Sequence, residues 1–226
     1  MVASDSGNIL RLSISGDGVI NVLSSLVPVG INNPYKISFS PDGKWFAVGG
    51  NGKVLLYEVA KSPITDDVNS VFIPIQKSIN VGYGSIAFSP LVPPYNQSQL
   101  MVIGSLNDKA IHVYCCPGSQ FPGCLNAGDW NQLISINFGN YINDVSFDST
   151  GHYLTATGSE KCRVYYVKDF LTSFNCDQFY NGIGDGYAIT TNPNGDIIFT
   201  GGDNHLNPSV NNRWGAFRYR TGQFQW

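Results

Sequence analysis

Few residues in this chain have the types and the spacing that chemistry needs. The three histidines, His112, His152 and His205, lie far apart, and their spacing matches no metal-binding pattern. No two cysteines form a C-x-x-C motif, and the chain has no G-x-S-x-G nucleophile motif and no P-loop. The glycine-rich run 49–52 lies between two predicted strands with no helix after it, which indicates a hairpin turn rather than a phosphate-binding loop. The sequence therefore predicts no catalytic residues, no metal site and no cofactor.

The segment most suited to binding is a polar loop at residues 203–214. It combines hydrogen-bonding side chains with an aromatic residue, and such a set could hold a peptide or a sugar. A surface insertion without a function is the alternative interpretation. The candidate partner-binding residues in this loop are Asp203, Asn204, His205, Arg213 and Trp214.

The five cysteines do not form a recognisable disulfide framework, because their number is odd and they are widely scattered. Cys116 and Cys124 bracket a loop rich in proline and glycine and could pair if oxidised. Free thiols in a reducing compartment are the favoured interpretation. The first seven residues also lack the basic and apolar regions of a signal peptide. These features predict a cytoplasmic protein.

The composition argues against two classes of partner. The formal net charge is −3, so the chain has no overall basic field that would attract nucleic acid. No run of about 18 apolar residues is present, so the sequence predicts no membrane span. Apolar residues make up 42% of the chain, which is enough for a substantial core.

Short strands are the elements that must position any site. An apolar–polar–Phe run that ends in a turn recurs along the chain, and a repeat of about 40–50 residues indicates one supersecondary unit used several times. Each unit predicts four strands joined by turns rich in Gly, Pro, Asn and Asp, whereas no segment has a convincing helical period. The four copies of the phrase, the last one weakened, lie at residues 37–43, 86–90, 145–151 and 189–195.

The units predict a single domain over residues 1–226. Nothing precedes Val2 that could match the innermost strand of the other units, so the first unit is predicted to have three strands. The last strand of the fourth unit is poorly marked and is predicted around residues 177–182. The predicted unit boundaries are 1–28, 35–80, 85–138, 143–182 and 187–226.

These units resemble the WD-repeat family of β-propellers. The resemblance implies an all-β propeller of four-stranded antiparallel blades, about five of them visible, with the innermost strand of the first blade missing. It leaves open a five-bladed ring with an imperfect seam and a part of a larger propeller. The matching stretches are ISFSPDGKWFAVGGNGKVLLYEV, IAFSP with LMVIGSLNDKAIHVY, and VSFDSTGHYLTATGSEKCRVYYV.

The chain departs from the family at two places. The Gly-His dipeptide that precedes each first strand in the family is missing, so its His–Asp hydrogen-bond network is predicted to be absent; Asp108 alone is well placed for the turn Asp of that network. The Trp-Asp pair at the end of the third strand is also missing, and a tyrosine would keep the packing between blades there. These tyrosines are Tyr57, Tyr114, Tyr166 and Tyr219.

The resemblance also implies where a partner would bind. The family commonly binds partners on one face of the channel, and Tyr83, Tyr141 and Tyr187 should share that face with the 203–214 loop because each precedes a first strand. Exposed Tyr near Arg and Trp is the usual composition of an interface anchor. The expected function is therefore a non-catalytic protein–protein interaction scaffold with a protein or peptide partner.

Two alternatives stay open. A propeller enzyme of the lactonase or hydrolase type would need carboxylates and histidines that converge on the channel. The first strands offer Asp144 and Asp148 for this purpose, with Asp185 just before another first strand. A carbohydrate-binding propeller is suggested by the Asn- and Trp-containing loop at residues 203–214.

Overall fold

The computed structural model describes most of the chain, and its elements are all β-strands joined by turns. Within the described residues no helix is present, and so none that could span a bilayer. The C-terminal strands, from Gly186 onward, are described by their backbone and their register. The described residues are 2–3, 8–26, 31–59, 72–79, 84–91, 97–124, 129–159, 161–175, 186–191, 197–202, 213–220 and 223–225.

Within the described ranges, the strands form five antiparallel sheets, which are called blades 1 to 5 in chain order. Blade 1 contains β1 (Val2–Ala3), β2 (Ile9–Ile14) and β3 (Ile20–Leu26). Blade 2 contains β4 (Asn32–Phe39), β5 (Trp45–Asn51), β6 (Lys53–Val59) and β7 (Phe72–Ile79). Blade 3 contains β8 (Gly84–Phe88), β9 (Leu100–Ser105), β10 (Ala110–Cys115) and β11 (Asn131–Asn137). Blade 4 contains β12 (Ile142–Phe147), β13 (Tyr153–Gly158), β14 (Lys161–Tyr166) and β15 (Ser173–Asn175). Blade 5 contains β16 (Gly186–Thr191), β17 (Ile197–Gly202), β18 (Arg213–Arg220) and β19 (Gln223–Gln225).

This topology confirms the predicted fold class. Every sheet pairs its strands in sequence order, as in a meander, and blade 1 has three strands where the others have four. The prediction was wrong for the last strand of blade 4, which lies at Ser173–Asn175, upstream of the predicted range. Residues 177–182 lie outside the described residues. That residues 1–226 form a single domain stays a prediction.

The recurring phrase forms the first strand of a blade and the turn after it. In blade 2 the Gly43 amide donates to the Ser40 carbonyl, and in blade 4 the Gly151 amide donates to the Asp148 carbonyl. Both glycines have a φ of +69°, a left-handed conformation that costs glycine least. The final Gly of the phrase is therefore required by the shape of the turn.

Among the side chains that the structure describes, the core lies between the blades, because the central strands of blades 2 to 4 are apolar on both faces. Successive residues of a strand point to opposite faces. In β5, Phe46 and Val48 pack toward blade 1 with Ile9, whereas Ala47 packs toward blade 3 with Ile86. The same alternation continues between blades 3 and 4. Radial stacking of blades thus buries surfaces that no single sheet could bury alone.

The strand register places a residue other than the predicted tyrosine at the packing position of the third strand in blades 4 and 5. Tyr57 of β6 is paired with Phe46, and in blade 4 the position equivalent to Phe46 is Leu154, whose partner is Tyr165. Tyr165 is buried, whereas the predicted Tyr166 is half-buried, because a shift of one residue turns a side chain to the other face. In blade 5 the equivalent register position is Phe217, two residues before Tyr219. Tyr114 lies in the core between blades 2 and 3.

The cysteine prediction was wrong in favouring free thiols at Cys115 and Cys124, and its alternative, a Cys116–Cys124 pair, was wrong as well. Cys115 forms a disulfide with Cys124, and Cys116 is a buried free thiol. Cys115 points to the core between blades 3 and 4, where Cys124 lies, whereas Cys116 points to the core between blades 2 and 3. Alternation along the strand therefore selects Cys115 as the partner. Cys162 is disulfide-bonded as well.

Candidate functional site

The first strands of blades 2 to 5 lie side by side at the inner edge of the propeller, since β8 contacts β4 and β12, and β12 contacts β16. One residue of each strand occupies the same register position there, and in β16 this residue is Ala188, which is paired with Gly201. Lys36 is paired with Gly49, and Ser85 with Gly104, while Asp144 is paired with Thr157. These three polar residues, Lys36, Ser85 and Asp144, are called the inner layer.

The inner layer is joined by hydrogen bonds that cross three blades. The Lys36 Nζ lies 2.9 Å from Asp144 Oδ1, so the side chain of Lys36 reaches past blade 3 to blade 4. The Ser85 hydroxyl donates to the same carboxylate and accepts the Val145 amide at 3.0 Å. Asp144 is 7% exposed and Ser85 is 2% exposed, so this is a buried carboxylate with charge-assisted partners.

The inner layer carries the groups that acyl-transfer chemistry uses. A carboxylate can accept a proton from water, and an ammonium group can stabilise negative charge that develops on an oxygen. The side chain of Lys36 is 35% exposed, whereas that of Asp144 is 10% exposed. The ammonium group is therefore the more accessible of the two charges.

A second polar position, which lies inside the recurring phrase, has a different role. Four residues further along, Ser40, Ser89 and Asp148 bond to the backbone of the next strand in their own blade, and they are called the hairpin clamps. The Ser40 hydroxyl accepts the Trp45 amide at 2.9 Å, and the Ser89 hydroxyl accepts the Leu100 amide at 3.0 Å. Asp148 Oδ1 accepts the Tyr153 amide at 2.8 Å. The clamps hold hairpins in shape.

A metal ion does not fit these carboxylates. The Lys36 ammonium already lies at hydrogen-bond distance from Asp144, where a cation would have to bind. Asp148 is occupied by its own turn, and Asp185 lies outside the described residues. In the described part of the chain, no three His, Cys, Asp or Glu side chains converge in the way that a metal site needs.

Asp108 takes part in a hydrogen bond with a histidine of its own blade. His112 Nε2 lies 2.7 Å from Asp108 Oδ2, although no Gly-His dipeptide precedes a first strand. Burial raises the pKa of Asp108, but the charge of His112 and its hydrogen bond to Asp108 oppose burial, and the pKa lies below its usual value. His112 lies on β10, so its contact with the turn before that strand is local.

Tyr141 is the one predicted partner-binding residue whose side chain is described. It is 44% exposed, and Lys109 Nζ lies 5.1 Å from the centre of its ring. Tyr187, Arg213 and Trp214 are placed by strand register only, and Gly202 pairs with Arg213 at the base of the loop. The remaining candidates lie outside the described residues, and they are Tyr83, Asp203, Asn204 and His205.

Sequence reasoning missed Lys36 and Ser85. Both stand directly before the apolar residue that opens the recurring phrase, Ile37 in one copy and Ile86 in the other, as Asp144 stands before Val145. Aligning the copies column by column would have shown a polar residue at this position in three of the four copies, with Ala188 in the fourth. Only Asp144 was recognised, as a residue of the enzyme alternative.

Two solved structures show the same fold as this chain. A candidate 6-phosphogluconolactonase from Bacteroides uniformis superposes with a TM-score of 0.69 at 10% identity, over 98% of this chain and 64% of that one. A protein from Lactobacillus plantarum superposes with a TM-score of 0.67 at 15% identity, over 97% and 63%. This chain thus spans less than two thirds of either protein. No curated protein matches the sequence.

These comparisons bear on the expected function. One of the two neighbours, at 10% identity, carries the name of a propeller enzyme, so the shared fold speaks against the prediction of a non-enzymatic interaction scaffold and favours the enzyme alternative. Residues 31–58 match the family described as WD domain, G-beta repeat, which confirms the suspected resemblance. Repeats of this type generally mediate protein interaction. The chain is therefore a β-propeller in which residues 31–58 are similar to a WD repeat.

Proposed function

We propose that this propeller is a hydrolase of the lactonase type and that the inner layer is its reaction site. The single observation that carries the proposal is the buried Asp144 carboxylate, held by Lys36 Nζ at 2.9 Å and by the Ser85 hydroxyl where the first strands meet. The name of the Bacteroides uniformis neighbour supports a lactone as the substrate.

The inner layer would open a lactone by general base catalysis. Asp144 accepts a proton from water as the water oxygen bonds to the lactone carbonyl carbon, and the carbonyl oxygen takes up the electron pair. Lys36 stabilises the negative charge on that oxygen. When the carbon–oxygen bond of the ring breaks, the proton passes from Asp144 to the ring oxygen, which leaves a hydroxy acid and regenerates the carboxylate.

The test is a hydrolysis assay on purified protein with 6-phosphogluconolactone and its unphosphorylated counterpart. Acid release is followed with a pH indicator, and the spontaneous rate is measured without protein. Asp144→Asn keeps the size of the side chain but removes the base, so kcat should fall about 100-fold or more. Glu58→Gln removes an exposed carboxylate of β6 and should leave kcat unchanged.

Two results would contradict the proposal. One is a folded wild-type protein that does not accelerate hydrolysis of either lactone above the spontaneous rate. The other is full activity in a folded Asp144→Asn variant, which would move the reaction away from the inner layer. Circular dichroism of each variant separates loss of chemistry from loss of fold.

A protein or peptide partner is a separate proposal and does not depend on the hydrolase. Tyr141 supports it, because an exposed aromatic ring beside the Lys109 ammonium is suited to anchoring a partner. Proteins captured by the wild type should be lost with Tyr141→Ala and kept with Leu171→Ala, which removes another exposed apolar side chain. An identical set of captured proteins for both variants would remove Tyr141 from the interface.

A further inference from the structure

The Cys115–Cys124 disulfide closes a loop that leaves blade 3 at the end of β10. Its Cα atoms lie 5.6 Å apart, within the usual range for a disulfide. Both cysteines are buried, at 2% and 8% exposure. The closed loop, residues 115–124, is called the stapled loop.

The stapled loop is tied to blade 2 through the connection between β8 and β9. The Gln120 amide donates to Gln99 Oε1 at 2.6 Å, and the Cys116 amide donates to the Gln99 carbonyl at 3.0 Å. Gln97 donates to the Gly118 carbonyl and accepts from Lys44 of blade 2 at 3.2 Å. Beside it, the Ser98 amide donates to Asp42 at 3.1 Å. Hydrogen bonds therefore run without a break from the loop to the first turn of blade 2.

The other side of the stapled loop packs on blade 4. The ring of Phe121 lies 6.3 Å from the ring of Phe170, in the segment between β14 and β15. Phe121, Cys124 and Phe170 belong to the core that fills the space between blades 3 and 4. The loop is thus linked, directly or through Gln97, to the same three blades that supply Lys36, Ser85 and Asp144.

We infer that the Cys115–Cys124 disulfide is a redox-dependent staple of the loop that joins blades 2, 3 and 4. A dithiol would break the sulfur–sulfur bond by delivering one electron and one proton to each sulfur, and would itself become a disulfide. The released loop would gain freedom in the unfolded state, so the folded chain would lose stability. The cytoplasmic prediction stays untested, but the free thiols that favoured it are absent at Cys115, Cys124 and Cys162.

The third cysteine of this region is protected from exchange. Cys116 is fully buried, and burial together with the nearby Asp42 charge raises the pKa of its thiol well above the usual value. A thiol in this state supplies little thiolate, which is the species that attacks disulfides. Cys116 therefore does not compete with Cys124 for Cys115.

The pairing is tested by alkylating denatured, unreduced protein that was secreted into the oxidising periplasm of a bacterial host. Trypsin cuts after Lys109 and Lys161, so one peptide holds Cys115, Cys116 and Cys124. That peptide should carry one alkyl label, on Cys116, and should be two hydrogens lighter than its thiol form. Three labels on this peptide would overturn the inference.

The staple is tested by thermal unfolding with and without dithiothreitol. Dithiothreitol should lower the unfolding temperature of wild type. Cys124→Ala removes the staple but keeps the disulfide of Cys162, so the decrease that dithiothreitol causes in this variant should be smaller than in wild type by about 5–10 °C. Cys116→Ala keeps the staple and should retain the full shift. Equal shifts in wild type and Cys124→Ala would overturn the staple, as would protein from a reducing cytosol that gains no stability on oxidation.

Discussion

Asp144 and Asp148 stand four residues apart on one strand and its turn, yet they hold different parts of the molecule together. Asp144 is bonded to Lys36 and Ser85, which come from two other blades. Asp148 is bonded to Thr150 and Tyr153, inside its own hairpin. Both are buried. The difference teaches that burial and residue type do not distinguish these two carboxylates, whereas the blades that supply their partners do.

The largest expected loss of stability comes from replacing Asp148, the carboxylate that bonds within its own hairpin. Asp148→Ala removes the buried carboxylate that accepts the Thr150 and Tyr153 amides, so the free energy of unfolding should fall by about 2–3 kcal/mol. Urea unfolding measures it, and the kcat of the remaining folded protein should equal that of wild type. A kcat loss without a stability loss would erase the distinction between the inner layer and the clamps.

Lys36→Met tests how strongly the inner layer binds the blades together. The buried Asp144 carboxylate would lose its cationic partner, so the free energy of unfolding should fall by about 1–2 kcal/mol, less than for a fully buried pair because Lys36 is partly exposed. Urea unfolding of Lys36→Met, Asp144→Asn and the double variant gives the coupling energy. Additive losses would show that the pair does not couple blades 2 and 4.

Two serines of blade 3 should have different effects when replaced by alanine: Ser89 on stability and Ser85 on kcat. Ser89→Ala leaves the Leu100 and Gln99 amides without their acceptor and should lower the free energy of unfolding by about 1 kcal/mol. Ser85→Ala removes a hydrogen bond to Asp144 and should lower kcat about tenfold, because the base is held less firmly. Urea unfolding and lactone hydrolysis are measured on both variants. Equal effects on kcat would contradict the separate roles.

The smallest effect concerns Asp108, whose pKa in the folded state is held below its usual value. Such a group stabilises the folded chain at pH values above about 3.9, its pKa in the unfolded state. This stabilisation is lost as the pH falls through the pKa of the folded state. Asp108→Asn should therefore lower stability at pH 6 and flatten its decline below about pH 4. Thermal unfolding across that range measures it, with Asp129→Asn as an exposed control. Parallel curves for wild type and Asp108→Asn would contradict the assignment.

Much of the fold was predictable because its signals are local. The phrase ending at Gly43 or Gly151 marks a strand and a turn whose geometry needs only neighbouring residues. The last strand of blade 4 was misplaced because Ser173–Asn175 is too short to carry a periodic pattern. Tyr166 was preferred over Tyr165 because a one-residue register shift leaves no trace in the composition of a strand.

The sequence by itself determined the repeat, the order of the strands and the hairpin turns, since these depend on alternation and on residues such as Gly43 that lie within a few positions of each other. Only the tertiary structure decided that Lys36, Ser85 and Asp144 meet, and that Cys115 rather than Cys116 pairs with Cys124. The physical reason is that such contacts depend on which strands are neighbours and on which face of a sheet each side chain lies. Those relations are set when the blades pack against one another.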